Sequence, residues 1–464
     1  MGLQAASPAV TAAEDTAATV AEISARIERL PLSWWQRRVR LLVGAVTLFD
    51  GFDQLLIAYV LPVLRREWHL DASGATWAIT SGSVGMLAGA LLAGWLADRL
   101  GRVRAIALCV ALYSVTSLLM PACTGLGAFL PLRFGQGVGI GGEVLVGAAY
   151  ISEIIGARRR GRFVLAYELV FVVGLLAAAL VSSWVVPAWG WRPLFALGGL
   201  PVLLAVVLWR WVPESPRWLA ARGRTTEAAA IVGRIEAEVR RRHGQLPAVA
   251  MDLAVRPGNG RLSEVFTSRY ARRTAVLMLT CFTAYLVNYG LTSWLPSIYT
   301  GLYHVGLATA LRYSLLTMVT GFFGAALLAA TVDRLGRKPC LTAGLLGAGV
   351  TLLVLAVVRP AQPGVLAAFV SVAALFVFAT NLGLQLYVAE LYPTRIRTWG
   401  SGINGVAIRL GVIVGPVLVG LVATGSSGFA LAIGLLASAA LVGGVVLGLF
   451  GEETANRPLE RLSP

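Results

Sequence analysis

Six ionisable residues stand in stretches otherwise apolar enough to lie in lipid: Asp50, Asp53, Arg133, Glu143, Glu168 and Arg409. On insertion scales each costs about 2.5–3.5 kcal/mol at a bilayer centre. Left unpaired, the six together would outweigh the typical net stability of a protein, so most must be paired, protonated or wet. Carboxyls so placed suit proton uptake and release: shielding from water favours the neutral form, and an arriving arginine or an opening cavity reverses that preference. A guanidinium so placed suits a carboxylate, which it grips through two parallel hydrogen bonds.

Depth selects partners. Counted at about 1.5 Å per helical residue, Asp53 shares a level with Arg133, and Asp50 with Glu143. Asp53 and Arg133 are expected to form a switchable pair, the alternative being a permanent buried salt bridge, with a nearby acid carrying a proton. Arg409, roughly 15 Å into its segment, is expected to bind an organic anion such as a monocarboxylate; a structural pair with Glu168 or another acid is the alternative. Tyr285, Asn288 and Tyr289 on one segment and Asn381, Gln385 and Tyr387 on another add hydrogen-bonding groups and ring faces. An apolar cavity with such groups fits a small flat aromatic acid, although any one ring can equally serve helix packing.

Helices must hold these residues in the membrane. The chain has 464 residues, 57% hydrophobic and 13% charged, with a mean hydropathy of +0.75; soluble chains carry about 25% charge. Apolar stretches of spanning length fall near 41–64, 76–97, 104–122, 127–149, 162–185 and 193–212, then near 273–297, 307–331, 340–358, 364–388, 400–422 and 428–450. The expected fold is all-α, with two six-helix bundles over 41–212 and 273–450. Segment 1–40 is expected to be cytoplasmic with an amphipathic helix on the membrane face, or else a disordered tail. Segments 213–272 and 451–464 are a cytoplasmic loop, with a helical stretch at 225–242, and a cytoplasmic tail.

The net charge of +16 is no sign of nucleic-acid binding, because the arginines cluster in short loops on one side of the apolar runs. By the positive-inside rule that side, with both termini, is cytoplasmic. Acidic residues precede the first apolar run, unlike a secretory signal. The four cysteines are scattered in apolar stretches without metal-ligand spacing. There is no nucleotide-binding loop, metal cluster or catalytic constellation, so no cofactor and no enzyme activity is expected. The Gly135-Gln136-Gly137 pattern lies inside a helix and suits close packing.

The halves repeat. DRLGR occurs at 98–102 and 333–337, an offset of 235 residues, and Glu153 and Glu390 each precede an arginine, Arg160 and Arg397, by seven. Asp98, Arg99, Arg102, Glu153 and Arg160, with Asp333, Arg334, Arg337, Glu390 and Arg397, are expected to form a salt-bridge latch between the halves; the alternative is loop charges that only set topology.

DRLGR after the second and eighth segments resembles the signature of the major facilitator superfamily. PESPRWL at 213–219 resembles the branch shared by sugar porters, organic ion transporters and metabolite:proton symporters. DGFD at 50–53 is similar to the first helix of aromatic acid:proton symporters. GIGGEVLVGAAYISE (139–153), RGRFVLAYE (160–168) and VNYGLTSWLPS (287–297) resemble bacterial niacin transporters and their relatives. The resemblance implies twelve helices, a cavity bounded by helices 1, 4, 7 and 10, and proton-coupled uptake of a small aromatic or heteroaromatic carboxylate by alternating access. The expected partners are that organic acid, protons and the lipid of a bacterial inner membrane, with the chain a monomer. A sugar or organic cation carrier, efflux, and a non-transporting sensor remain alternatives.

Overall fold

The computed structural model describes residues 20–31, 33–155, 157–247, 262–393, 396–422 and 425–454. A short helix, α1 (20–28), precedes the first bundle, which comprises α2 (Trp34–Glu67), α3 (Ala72–Leu100), α4 (Arg102–Leu119), α5 (Leu126–Glu153), α6 (Ala157–Trp189) and the pair α7 (Arg192–Gly198) and α8 (Val202–Trp211). The loop helices α9 (Pro216–Ala221) and α10 (Thr225–His243) lead to the second bundle: α11 (Ser268–Gly301), α12 (Leu307–Leu335), α13 (Arg337–Val358), α14 (Pro363–Leu391), α15 (Arg397–Val422) and α16 (Gly425–Phe450). Eleven described spans are long and apolar enough to cross a membrane, α7 and α8 together making one of them. The twelfth passage is α5, whose apolar run is interrupted by Arg133, Gln136, Glu143 and several glycines. It is sheltered by its neighbours: a Cβ at Gly137 would collide with the Gly82 carbonyl of α3, so the two helices pack backbone to backbone.

Local chemistry sets the ends of these helices. Ser33 and Gln36 form a reciprocal cap at the start of α2, and the Gln36 amide donates to the Ile154 carbonyl beyond α5 at 3.0 Å. At the DRLGR turns, Gly101 (φ 103°) and Gly336 (φ 95°) let one helix end and the next begin at a single residue. The sixth passage, expected as continuous over 193–212, is broken at 199–201, where Gly199, Leu200 and Pro201 separate α7 from α8.

The side carrying the DRLGR turns and the loop helices is the terminal side. On the opposite, far side both halves contribute to one apolar core, which includes Leu56, Ile79 and Phe195 of the first half with Leu291, Leu311 and Phe378 of the second. Toward the terminal side each half has its own core, around Val146 and Tyr150 in the first and Leu384 and Tyr387 in the second. The halves are therefore sealed together on the far side and separate on the terminal side.

The amphipathic helix expected near the N-terminus is present as α1, but its apolar face does not lie against lipid. Ile23, Ile27 and Leu30 pack with Trp218, Ile231 and Val232 of α9 and α10. Arg26 and Arg29 reach Glu236 at 2.9 and 2.6 Å, and Arg217 reaches Glu28 at 2.9 Å.

Candidate functional site

Between the halves lies a narrow cleft, with Gln54 of α2, Arg133 and Gln136 of α5, and Tyr289 and Ser293 of α11 among its lining residues. Arg133 is only 4% exposed, and Asp50, Asp53 and Glu143 are fully buried. Arg133 Nη1 donates to Gln136 Oε1. That contact leaves the Gln136 amide nitrogen to donate to Ser117 Oγ at 3.2 Å, and Ser117 in turn donates to the Phe195 carbonyl at 2.9 Å. The chain of donors ends on α7, next to the break in the sixth passage. Asp53 sits beside the same place: a Cβ at Gly198 would run into Asp53 Oδ1 and Ser117 Oγ.

Asp53 and Arg133 are thus neighbours and interact electrostatically, but the ion pair expected between them is not formed. Among the described residues neither Asp53 oxygen has a hydrogen-bond partner, and Arg133 Nε has none. The arginine is directed instead to Gln136 and the cleft. Asp50 and Glu143, placed at a common depth by residue counting, do come together, their buried carboxyl groups lying close enough to interact directly. The side chains of Glu168, Arg160 and Arg397 lie outside the described residues.

Arg409 of α15 spans the two halves, Nη2 donating to the Gly141 carbonyl of α5 at 3.4 Å. It forms no ion pair with a described acid, and it lies within electrostatic reach of Tyr289 and Tyr285. These two rings are stacked, with centroids 6.3 Å apart and planes at 12°. Gln54 Nε2 donates to Tyr289 Oη at 2.5 Å across the halves. The two are separated by the repeat offset, 235 residues, so this bond joins repeat-mates beside the pseudo-two-fold axis. Gln385 donates to Tyr285 Oη at 3.1 Å. Asn288 and Asn381 are buried, and Asn288 Oδ1 and both polar atoms of Asn381 have no partner among the described residues.

Tyr387 does not join this group. It follows Gln385 by two residues, about 200° around a helix, and its hydroxyl donates to the Glu452 carbonyl at 2.5 Å beyond α16. Its place is structural, at the terminal-side end of the second half. Gln54, Gln136, Ser117 and Ser293 are cleft or relay residues that sequence reasoning passed over. The usable signal was the repeat offset, which pairs Gln54 with Tyr289.

The duplicated charges at the terminal side close on themselves. Arg102 meets Asp98 at 2.7 Å and Glu153 at 3.1 Å; Arg337 meets Asp333 at 2.9 Å and Glu390 at 3.1 Å. Arg99 stacks on Trp95, and Arg334 is exposed. Among the described residues these pairs stay within one half, and none of them bridges the halves as the expected latch would. Two further acids complete the clasps. Glu214 accepts from the Arg102 and Val103 backbone N–H groups, at 2.8 and 3.2 Å, at the start of α4. Glu453 does the same at the start of α13, from Arg337 at 3.0 Å and Lys338 at 3.1 Å. A carboxylate at a helix N-terminus satisfies free donors and complements the helix dipole.

Two six-helix bundles related by a repeat, with a polar cleft between them in mid-membrane, define a multi-pass transporter of the major facilitator fold. The chain belongs to the sugar (and other) transporter family, whose model matches residues 43–464. It is 32% identical to a niacin transporter of Acinetobacter baylyi, over 95% of this chain and 99% of that one. It is 30% identical to a 4-hydroxybenzoate transporter of Pseudomonas putida, over 86% and 90% of the two chains. Among solved structures, the xylose transporter of E. coli in a partially occluded inward-open conformation superposes with a TM-score of 0.73 at 19% identity. That match covers 92% of this chain and 100% of the other.

Proposed function

We propose that this protein takes up a small aromatic or heteroaromatic monocarboxylate together with protons, by rocking its two halves about the cleft. The observation that carries this reading is that Arg133 and Arg409 flank the cleft region and neither forms an ion pair with a described acid. Two such guanidiniums in a low-dielectric site favour an anion. The stacked Tyr285 and Tyr289 offer ring faces beside Arg409. The niacin and hydroxybenzoate transporters among the relatives support the cargo class. The arginine-rich terminal side is assigned to the cytoplasm of a bacterial inner membrane, which makes this conformation, sealed on the far side, an inward-facing one.

Gln54, Gln136 and Ser293 in the cleft would also suit hydroxyl groups, which gives a sugar carrier as the second reading. A thermal-shift screen of purified protein with nicotinate, 4-hydroxybenzoate, xylose and simple amines separates the two. The expected result is stabilisation by the carboxylates, weakened at least tenfold in apparent affinity by Arg133→Ala and by Arg409→Ala. Stabilisation by xylose or amines alone, indifferent to both substitutions, overturns the carboxylate reading.

A further inference from the structure

Asp50 and Glu143 form a second acidic centre, behind the cleft and apart from its lining residues. Asp50 leaves α2 and Glu143 leaves α5, both are fully buried, and the two carboxyl groups are close enough to interact directly. None of their four oxygens receives a hydrogen bond from a described donor. Two carboxylates have no proton to donate to each other, and two adjacent negative charges without a cation are prohibitive in a low-dielectric interior. The contact becomes favourable once one proton lies between them.

The surroundings point the same way. Tyr113 of α4 is fully buried, its hydroxyl has no hydrogen-bond partner among the described residues, and it lies near Asp50. Cys109 of α4 lies near Glu143. Gly147 leaves the space in which Glu143 Oε1 and Tyr167 Oη come near each other, a Cβ there falling 2.9 and 2.6 Å from them. Thr47, one turn before Asp50, donates to Tyr167 Oη at 2.7 Å, so hydroxyl groups lead from the acids toward the terminal side. The other charge facing Asp50 is Asp53, one turn along α2, and Asp53 in turn faces Arg133. Cation, acid and acid pair thus follow one another from the cleft inward.

We infer that Asp50 and Glu143 together hold one shared proton and are the proton-carrying site, distinct from the arginines that hold the substrate. One carboxyl is neutral and the other charged while the proton is bound; on release it passes to water when the opened cleft hydrates both groups. An anion arriving at Arg133 changes the field at Asp53 and, through it, at the pair, which links cargo to proton. This inference rests on the proposed proton-coupled reading for its transport consequence, but not for the presence of the proton.

Infrared spectroscopy of the substrate-free protein in liposomes at neutral pH tests it directly. A protonated-carboxyl stretch that shifts on exchange into heavy water is expected in the wild type. It should persist in Asp53→Asn and vanish in the Asp50→Asn/Glu143→Gln double variant. Absence of the band from the wild type, or its survival unchanged in the double variant, overturns the shared proton. In proteoliposomes loaded with nicotinate, Glu143→Gln should retain nicotinate exchange while its pH-gradient-driven accumulation falls at least tenfold, with partial rescue in Glu143→Asp. Wild-type accumulation in Glu143→Gln overturns the carrying role. If wild-type protein does not move nicotinate while the infrared band is present, the cargo assignment fails and the shared proton stands.

Discussion

The two halves are most alike at the terminal side and least alike at mid-membrane. Each carries the same clasp: the last arginine of DRLGR, held by an acid on either side, and a glutamate that caps the next helix. At the centre, Asp50, Asp53 and Gln54 of α2 correspond to Tyr285, Asn288 and Tyr289 at the repeat offset. Among the described residues at this level the first half buries Asp50, Asp53, Glu143 and Arg133; the second presents stacked rings, the buried amides of Asn288 and Asn381, and Arg409. A clasp at a helix end depends on backbone geometry, which duplication copies. The centre is free to differ because helix geometry tolerates many side chains there, and its chemistry can be divided between the copies.

Exchanging the central residues tests that division and has the largest expected effects. Asp53→Asn should cut pH-gradient-driven accumulation of nicotinate at least tenfold; full retention would remove Asp53 from coupling. The reciprocal Asn288→Asp introduces an acid where none is paired and should lower stability by about 2.5–3.5 kcal/mol if it ionises, read as a fall in melting temperature. An unchanged melting temperature would mean that the second half accommodates acid as readily as the first.

The clasps should respond alike. Glu214→Gln and Glu453→Gln each weaken one helix cap, at a cost of about 1 kcal/mol apiece, measured by thermal denaturation in detergent. Strongly unequal losses would show that the clasps are not equivalent.

The smallest effect is expected at the dock between α1 and the loop helices α9 and α10. Burial alone would raise the Glu236 carboxyl, but hydrogen bonds from Arg26 and Arg29 outweigh it and hold the group below its ordinary value. Its contribution is therefore complete above the ordinary carboxylate range, about pH 4.3, and is lost as pH falls through the lower folded value. Limited proteolysis should find α1 protected at pH 7 and at pH 5, with cleavage rising under stronger acid; Glu236→Ala should be cleaved readily at pH 7.

Much of this architecture was legible in residue order. The loop helix expected at 225–242 is α10, Thr225–His243, because its polar periodicity is local. The spanning segments were equally plain, since lipid demands long apolar runs. The break at 199–201 was not, because proline and glycine occur inside other spanning helices without ending them. Tyr387 was misplaced because composition does not say which face of α14 turns to the cleft. Glu453 was overlooked because its role depends on meeting the start of α13.

The sequence by itself determined the duplicated helices, the loops that carry the basic charge, and the presence of acids and arginines in lipid. Periodicity, hydropathy and repeat offset are all local or translational quantities. Only the tertiary structure decided that Arg133 turns to Gln136, that Asp50 meets Glu143, that Arg409 crosses to Gly141, and that the clasps close within their own halves. Those outcomes depend on the rotation of each helix and on the relative positions of the two halves, which residue order does not specify.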